Sequence, residues 1–521
     1  MRLSELTSAL PSGSIPLGMD REISGVAYDS RRVKPGNVFV ACSGGTADGQ
    51  EFIPQALSAG AEAVVGEREQ PGLPVPYIRV PDARRALGLI SAAWFGFPTR
   101  RMVLIGVTGT DGKTTTVNLI FSILKAAGIR AGMINTVGAM IGGLEMDTGF
   151  HVTTPDSPAL QGYLARMAQA GLTHCVLEVT SHGLAQQRLA GCDFDVAAVT
   201  NITHEHLDYH GTFEAYRAVK AGLFAGLGTA PAKTFFPARM AVLNADDPSF
   251  EYLRGHVNVP VVTYGRRCKA DFAGEDVRTT ADGIRMKVRT ADGAYPVESG
   301  LTGVYNVENI LAAMTVAVAG LGVDPQMAAE GVAAMPEVPG RWEKIDLGQE
   351  FAAIVDFAHT PNALRAVLEA VRTQTQGQGR VIAVFGSAGL RDREKRPRMA
   401  SAGIDLADLT VLTAEDPRSE ALSSILEEMA AGARSRGGVE GKTFFRIPDR
   451  GAALRFAVQS ARKGDVVIAC GKGHEQSMCF GEVEYPWDDR RALRAALAGR
   501  LGVPGPEMPV LPTSDGVKEE L

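Results

Sequence analysis

Apolar and polar positions along the chain fall into a repeated rhythm of short strands and longer amphipathic helices. Apolar runs at Val103–Val107, Cys175–Val179, Ala197–Asn201 and Ala241–Asn244 are too short for helices, and helical stretches separate them. Buried strands joined by crossover helices build a parallel sheet. The rhythm returns further on, with strands at Phe351–Asp356, Val381–Phe385, Leu409–Thr413 and Val466–Cys470. Helical stretches at Asn362–Arg372, Ser419–Arg436 and Arg450–Arg462 lie between them. Before residue 98 the pattern is sparser: strands at Val38–Ala41 and Ala63–Val65 flank a helix at Ile53–Ala59. A helical stretch, Asn306–Gly320, leads to MPEVPGRWE (Met335–Glu343), where proline and glycine mark a boundary. The expected fold class is α/β with three domains: a small N-terminal α/β domain (1–98), a central parallel-sheet domain (99–337) and a C-terminal Rossmann-like α/β domain (338–502). Residues 503–521 are Pro-rich and polar and are expected to form a disordered tail.

Composition narrows the class. The 521 residues exceed one ordinary core and suit roughly three domains. Apolar content of 45% with 21% charged residues matches a globular protein. A net charge of −6 gives no support for broad nucleic-acid binding. The six cysteines, Cys42, Cys175, Cys192, Cys268, Cys470 and Cys479, form no CxxC pair. They read as free thiols of a reducing cytoplasm rather than a disulfide framework or zinc ribbon. The N-terminus carries no long apolar run, so no signal peptide is expected, and no stretch approaches the roughly 20 apolar residues of a membrane span. A cytoplasmic monomer is the simplest expectation.

The segment Gly106–Thr116 (GVTGTDGKTTT) joins a strand to a helix. Glycines let backbone N–H groups curl around an anion, and the helix N-terminus adds its positive end. Lys113 reaches the outer phosphates as a point charge, and the Thr114 hydroxyl suits Mg²⁺. Val107 stands where the strict GxxxxGK[ST] pattern wants its first glycine. The central domain is therefore expected to be P-loop ATPase-like and to consume ATP.

The loop in this form resembles the Mur ligases, amide-forming enzymes of peptidoglycan assembly, and the resemblance runs across nearly the whole chain. Asp29–Phe39 (DSRRVKPGNVF) is similar to the N-terminal domain of members that add the third peptide residue to UDP-MurNAc-L-Ala-D-Glu. The resemblance implies uridine contacts at Ser30, Gly45, Thr46 and Ala47. It implies sugar–peptide contacts at Thr153, Thr154, Thr180, Gln186 and Arg188, with Thr180 standing where the family has Ser. ATP contacts are implied at Gly109, Thr110, Asp111, Gly112, Lys113, Thr114, Thr115, Asn306, Arg341 and His359. Phe357 replaces the more usual Tyr, and Asn362 the more usual Asp. In NITHEHLDYHG (Asn201–Gly211) three histidines leave zinc open on residue type alone. The resemblance instead implies Mg²⁺ held by Thr114, Glu178, His206 and Lys220, the last as a carbamate (N6-carboxylysine). Lys113, Lys220 and His206 are then the catalytic residues.

An amino-acid pocket is implied at Arg391, Glu415, Asp416, Pro417, Arg418, Gly471 and Glu475. Family members that use meso-diaminopimelate carry DNPR where this chain has EDPR. Arg391 and Arg418 suit a distal carboxylate. A carboxylate at Asp416 about 4 Å from it would cost up to about 4 kcal/mol at an effective dielectric near 20. That comparison leans toward L-lysine or L-ornithine, unless Arg418 neutralises Asp416. The expected reaction is ATP-driven amide formation through an acyl phosphate. Rival readings are a folylpolyglutamate synthase-like ligase, a nucleotide-binding regulatory protein and a degenerate scaffold. Lys113→Ala is expected to abolish ADP formation with the fold intact, checked by coupled ADP release and circular dichroism.

Overall fold

The computed structural model describes residues 1–10, 19–44, 48–146, 153–229, 233–236, 239–280, 282–375 and 378–514. Gly45, Thr46 and Ala47 therefore lie outside the described residues. Among the described residues three large sheets carry the fold, and Ser477–Phe480 with Val483–Pro486 forms a fourth, two-stranded one. The first is four-stranded and parallel, in the order Gly25–Ala27, Asn37–Val40, Ala63–Gly66 and Tyr77–Arg79. Successive side chains of a strand point to opposite faces. Val38 and Val40 join Leu87 and Ile90 of the helix Ala83–Trp94, while Phe39 and Ala41 join Ile53 and Ala56 on the other face. Both faces are covered, so the strand reads as an unbroken apolar run.

The central sheet has eleven strands. Its parallel middle runs Val261–Gly265, Met240–Asn244, Val196–Val199, Val103–Thr108, His174–Glu178 and Ala131–Ile134. Val103, Ile105 and Val107 pack on Val117, Ile120 and Leu124 of the helix Lys113–Ala126; Leu104 faces Leu164 and Phe224 on the other side. Gly106 sits inside this strand, where a Cβ would fall 2.7 Å from the Phe194 ring. It is a packing glycine, not a phosphate-binding one.

Parallel pairing does not account for the whole sheet. Phe272–Thr280, Gly283–Arg289 and Ala294–Ser299 extend one edge as an antiparallel meander. Ile284, Met286 and Val288 turn inward and Arg285, Lys287 and Arg289 outward, the period-2 pattern of a half-buried strand. Reading only for unbroken apolar runs overlooks this alternation.

The C-terminal sheet runs Glu343–Lys344, Ala352–Asp356, Val466–Cys470, Val381–Phe385, Leu409–Leu412 and Phe444–Arg446. All its pairs are parallel except the first. The helix Pro361–Thr375 is capped by Thr360, whose hydroxyl accepts from the Ala363 N–H at 3.1 Å, rather than by Asn362. Tyr28 Oη bonds Asp156 across the first and central domains at 2.8 Å. All six cysteines are free thiols. Among the described residues no helix is long and apolar enough to cross a membrane.

The tail departs from the expectation of disorder as far as residue 514. Leu511 is 1% exposed and joins the core formed by Leu454, Val458 and Leu493. The Thr513 and Ser514 hydroxyls donate to Asp449 Oδ2 at 3.0 and 2.8 Å. Proline content suggested a free tail, but one buried leucine and two hydroxyls anchor it. Leu511→Ala is expected to cost about 2–4 kcal/mol, read by urea denaturation; a free tail would give no change.

Candidate active site

The C-terminal ends of three adjacent strands build the site. Val103–Thr108 ends at Gly109, His174–Glu178 at Glu178 and Val196–Val199 just before Thr200 and Asn201. Ligands of open α/β sheets bind beyond such ends. The loop after Thr108 is held from one side by Asn201: Thr110 N–H donates to its carbonyl at 2.7 Å and Asp111 N–H to its Oδ1 at 3.1 Å. Thr200 Oγ1 donates to Asp111 O at 2.6 Å. Gly109 (φ +146°) lies so close that a Cβ would fall 1.9 Å from Thr200 Oγ1; at Gly112 (φ +82°) it would fall 2.2 Å from Asn309 Oδ1.

On the other side Glu178 organises hydroxyls. Its Oε2 accepts from Thr114 Oγ1 at 2.9 Å, Thr136 Oγ1 at 3.0 Å and Thr136 N–H at 3.1 Å. Thr136 Oγ1 also pairs with Thr153 Oγ1 at 3.1 Å. Thr154 Oγ1 donates to Glu178 O and pairs with Thr180 Oγ1 at 2.9 Å. Arg188 donates to Thr154 O at 2.7 Å and holds Gln186 Oε1 with two N–H groups. Thr180 Oγ1 also accepts from Gly183 N–H, so Thr serves as N-cap of the helix Ser181–Ala185 in place of Ser.

Two lysines meet the loop. Lys113 Nζ donates to Thr110 O at 2.7 Å. Lys220, 1% exposed, comes from the helix Phe213–Leu227 and donates to Gly109 O at 2.6 Å. Burial, and next the Lys113 ammonium, hold Lys220 well below the ordinary lysine pKa. His206 occupies a left-handed conformation (φ +56°). Burial pulls its imidazole down to about 3 despite the neighbouring Glu205 carboxylate. His182 stands edge-on to it with ring centroids 4.7 Å apart.

The C-terminal domain closes the far wall. Arg341 Nη2 donates to Thr114 Oγ1 at 3.3 Å, and its guanidinium lies 4.4 Å over the Phe357 ring. The ring face needs no hydroxyl, so Phe serves there as Tyr would. His359 Nε2 stands 3.6 Å from Glu205 Oε1. Burial opposes the charged imidazole, but the Glu205 carboxylate raises its pKa above the ordinary value.

Between these walls lies a cleft of about 510 Å³. It runs from Lys113 and Thr114 past Glu178 and His206 to Arg391, Arg418 and Glu475. Thr153, Thr154, Thr180, Gln186 and Arg188 line it as well, as do Glu415, Asp416 and Gly471. Gly109, Thr115, Lys220, Asn306 and Pro417 do not line it, nor does Ser30, whose hydroxyl donates to Gln55 Oε1 at 2.8 Å. Asn306 acts one step behind: its Oδ1 accepts from Asn309 Nδ2 at 2.9 Å, and Asn309 abuts Gly112.

The selectivity turn departs from the electrostatic expectation. Asp416 is not left to Arg418: Lys472 Nζ, fully buried, lies 2.9 Å from its Oδ1, and Cys479 N–H donates to the same atom. Lys472 also pairs with Glu475 at 2.5 Å. The Asp416 charge is thus offset in part within the protein, by an ammonium it shares with Glu475. Asp416 and Arg418 both have positive φ (40° and 53°), a strain of about 1–3 kcal/mol each that such turns retain at functional sites. Glu415 Oε2 is buried with no hydrogen-bond partner among the described residues. Arg391 and Arg418 repel one another, adding to the burial that lowers Arg391.

Glu205, Thr136, Asn309 and Lys472 escaped sequence reasoning. Glu205 and Lys472 lay inside segments already singled out, and Asn309 stood one helical turn from Asn306. Thr136 carried no signal, since it meets Glu178 and Thr153 only once the strand Ala131–Ile134 pairs beside His174–Glu178.

This arrangement accompanies a family assignment. Three family models match: "Mur ligase family, catalytic domain" at residues 22–95, "Mur ligase middle domain" at 107–317 and "Mur ligase, glutamate ligase domain" at 340–473. The chain belongs to the Mur ligase family. Within it, the chain is 45% identical over 515 residues to the UDP-N-acetylmuramyl-tripeptide synthetase of Roseiflexus sp. (strain RS-1), covering 97% of this chain and 100% of the relative. It is 42% identical over 502 residues to the UDP-N-acetylmuramoyl-L-alanyl-D-glutamate–2,6-diaminopimelate ligase of Geobacillus thermodenitrificans (strain NG80-2), covering 96% and 100%. A solved structure of a ligase of that same name shares 32% identity and a TM-score of 0.63 over 92% of this chain and 95% of its own. A folylpolyglutamate synthase from Mycobacterium tuberculosis, at 17% identity and a TM-score of 0.57 over 80% of this chain and 95% of its own, shares the fold.

Gly109→Ala is expected to remove nucleotide binding and cost at least about 1–3 kcal/mol, read by calorimetric titration with ATP and by thermal unfolding.

Proposed function

We propose that the chain joins meso-diaminopimelate to the D-Glu γ-carboxylate of UDP-MurNAc-L-Ala-D-Glu at the expense of ATP. One observation carries this reading: a single cleft connects the phosphate loop at Lys113 to the guanidinium pair Arg391 and Arg418. A γ-carboxylate oxygen attacks the γ-phosphorus of ATP, the bond to the bridging oxygen breaks, and ADP leaves an acyl phosphate. The amine then attacks the acyl carbon and expels phosphate, its proton passing to solvent. Lys113, Arg341 and the start of the helix Lys113–Ala126 supply positive potential where charge spreads on the phosphoryl group. Closure between the central and C-terminal domains excludes water from the acyl phosphate.

Oxygen donors suit Mg²⁺. Thr114 Oγ1 and Glu178 Oε2 stand 2.9 Å apart beside the loop; with His206 and a carbamate on Lys220 they would hold it. Mg²⁺ bound there would neutralise phosphate charge. A neutral Lys220 amine can attack CO₂, losing one N–H proton and becoming an anion. Burial of Lys220 beside Lys113 favours that neutral form.

Pairing of Asp416 with Lys472 supports diaminopimelate over L-lysine and L-ornithine, because it reduces the repulsion that argued against a distal carboxylate. Arg391 and Arg418 then attract that carboxylate in bidentate fashion. The test is phosphate release with UDP-MurNAc-L-Ala-D-Glu, ATP and one amino acid at a time. Turnover with meso-diaminopimelate is expected, together with a rise of about 100-fold in its KM in Arg418→Ala. Turnover with L-lysine or L-ornithine alone overturns the choice of amino acid; none with any of the three overturns the ligase reading.

A further inference from the structure

Two loops of the amino-acid pocket spring from strands that are not neighbours. The turn Glu415–Arg418 follows the strand Leu409–Leu412, and the loop Gly471–Glu475 follows Val466–Cys470. The strand Val381–Phe385 lies between them. Beyond that strand Gly386 leaves no room for a side chain: a Cβ would fall 2.5 Å from Thr413 O and 2.7 Å from Glu415 Cβ. At Gly471 (φ +109°) a Cβ would fall 2.1 Å from Glu415 Oε2. The Glu415 carboxylate thus reaches across to the second loop through space that two glycines keep open.

Arg450 bridges the same gap from beneath. It is the first residue of the helix Arg450–Ser460 and has no exposed surface. Its Nη1 donates to Ala414 O at 3.1 Å and its Nη2 to Cys470 O at 2.8 Å. Ala414 and Cys470 are the residues directly before Glu415 and Gly471. The guanidinium is aimed by Asp489, which accepts from Nε at 2.7 Å and from Nη2 at 2.6 Å; Trp487 Nε1 donates to the same carboxylate at 2.8 Å.

A fully buried ion pair is a poor source of stability, since desolvation offsets its attraction and apolar replacements are often neutral or better. An apolar side chain, however, cannot donate to two carbonyls in different strands. A lysine, with one nitrogen at the end of a flexible stem, cannot span both and still pair with Asp489 along two parallel bonds.

We propose that Arg450, held by Asp489, is a positioning residue for the added amino acid: it sets the spacing between the Glu415–Arg418 turn and the Gly471–Glu475 loop and so governs recognition of the incoming diamino acid. This rests on the ligase reading above. It touches neither the phosphate loop nor the residues Thr153 to Arg188 that face the peptide, so its effect is confined to one of three substrates.

The test is steady-state phosphate release by the full chain in wild type, Arg450→Met and Arg450→Lys, titrating ATP, UDP-MurNAc-L-Ala-D-Glu and meso-diaminopimelate in turn. The KM for the amino acid is expected to rise at least about tenfold in Arg450→Met and less in Arg450→Lys, with the other two KM values within about twofold of wild type. An unchanged amino-acid KM, or an equal rise for all three substrates, overturns the proposal. Should Arg450→Met fail to fold by circular dichroism, Arg450→Lys, which keeps the buried charge, decides by the same criteria. A wild-type chain without turnover defeats the ligase reading itself, an outcome distinct from any difference between variants.

Discussion

The close contact between the loop after Thr108 and the two strand ends beside it organises everything above the central sheet. The loop's N–H groups are partly committed to Asn201, its Asp111 carbonyl to Thr200 and its Thr114 hydroxyl to Glu178. A buried backbone leaves few polar groups unpaired. Thr200 and Asn201 can meet those groups only because Gly109 brings the backbone within reach of the Thr200 hydroxyl. Lys220 completes the enclosure by donating to Gly109 O from a helix 111 residues further along. Moving any one strand by a fraction of its spacing would break several of these bonds together.

Charge in the cleft follows a similar economy. Glu178 is surrounded by hydroxyls and one N–H group, Glu205 by His206 and His359, and Asp416 by Lys472. These three acids are held by neighbouring groups, while Lys113, Arg341, Arg391 and Arg418 also face the cleft. Those four cations suit a substrate set made of phosphates and carboxylates, in a chain whose net charge is −6. Overall charge says little about the sign of a site built from a few dozen residues.

Much of the fold could be read from the chain. Buried strands such as Val103–Thr108 and Val381–Phe385 are unbroken apolar runs because both faces are covered. The edge meander Phe272–Ser299 was harder to see, since alternating strands such as Ile284–Arg289 carry as many charges as apolar residues. In the tail, one leucine outweighs a proline-rich composition once a hydrophobic groove is available to it. Composition reports averages, whereas docking depends on single side chains.

The family and the phosphate loop were determined by sequence alone, because glycines, a lysine and hydroxyls at set spacing between a strand and a helix admit few other structures. Gly106 fell within both the predicted strand Val103–Val107 and the loop segment, and packing against Phe194 assigns it to the strand. The meaning of Asp416 was likewise decided in three dimensions. A carboxylate in a pocket repels or does not according to what lies within about 3–4 Å of it. The cation at that distance is Lys472, 56 residues away in sequence. Local pattern records which groups are present; only the folding of distant segments onto one another decides which charges remain free.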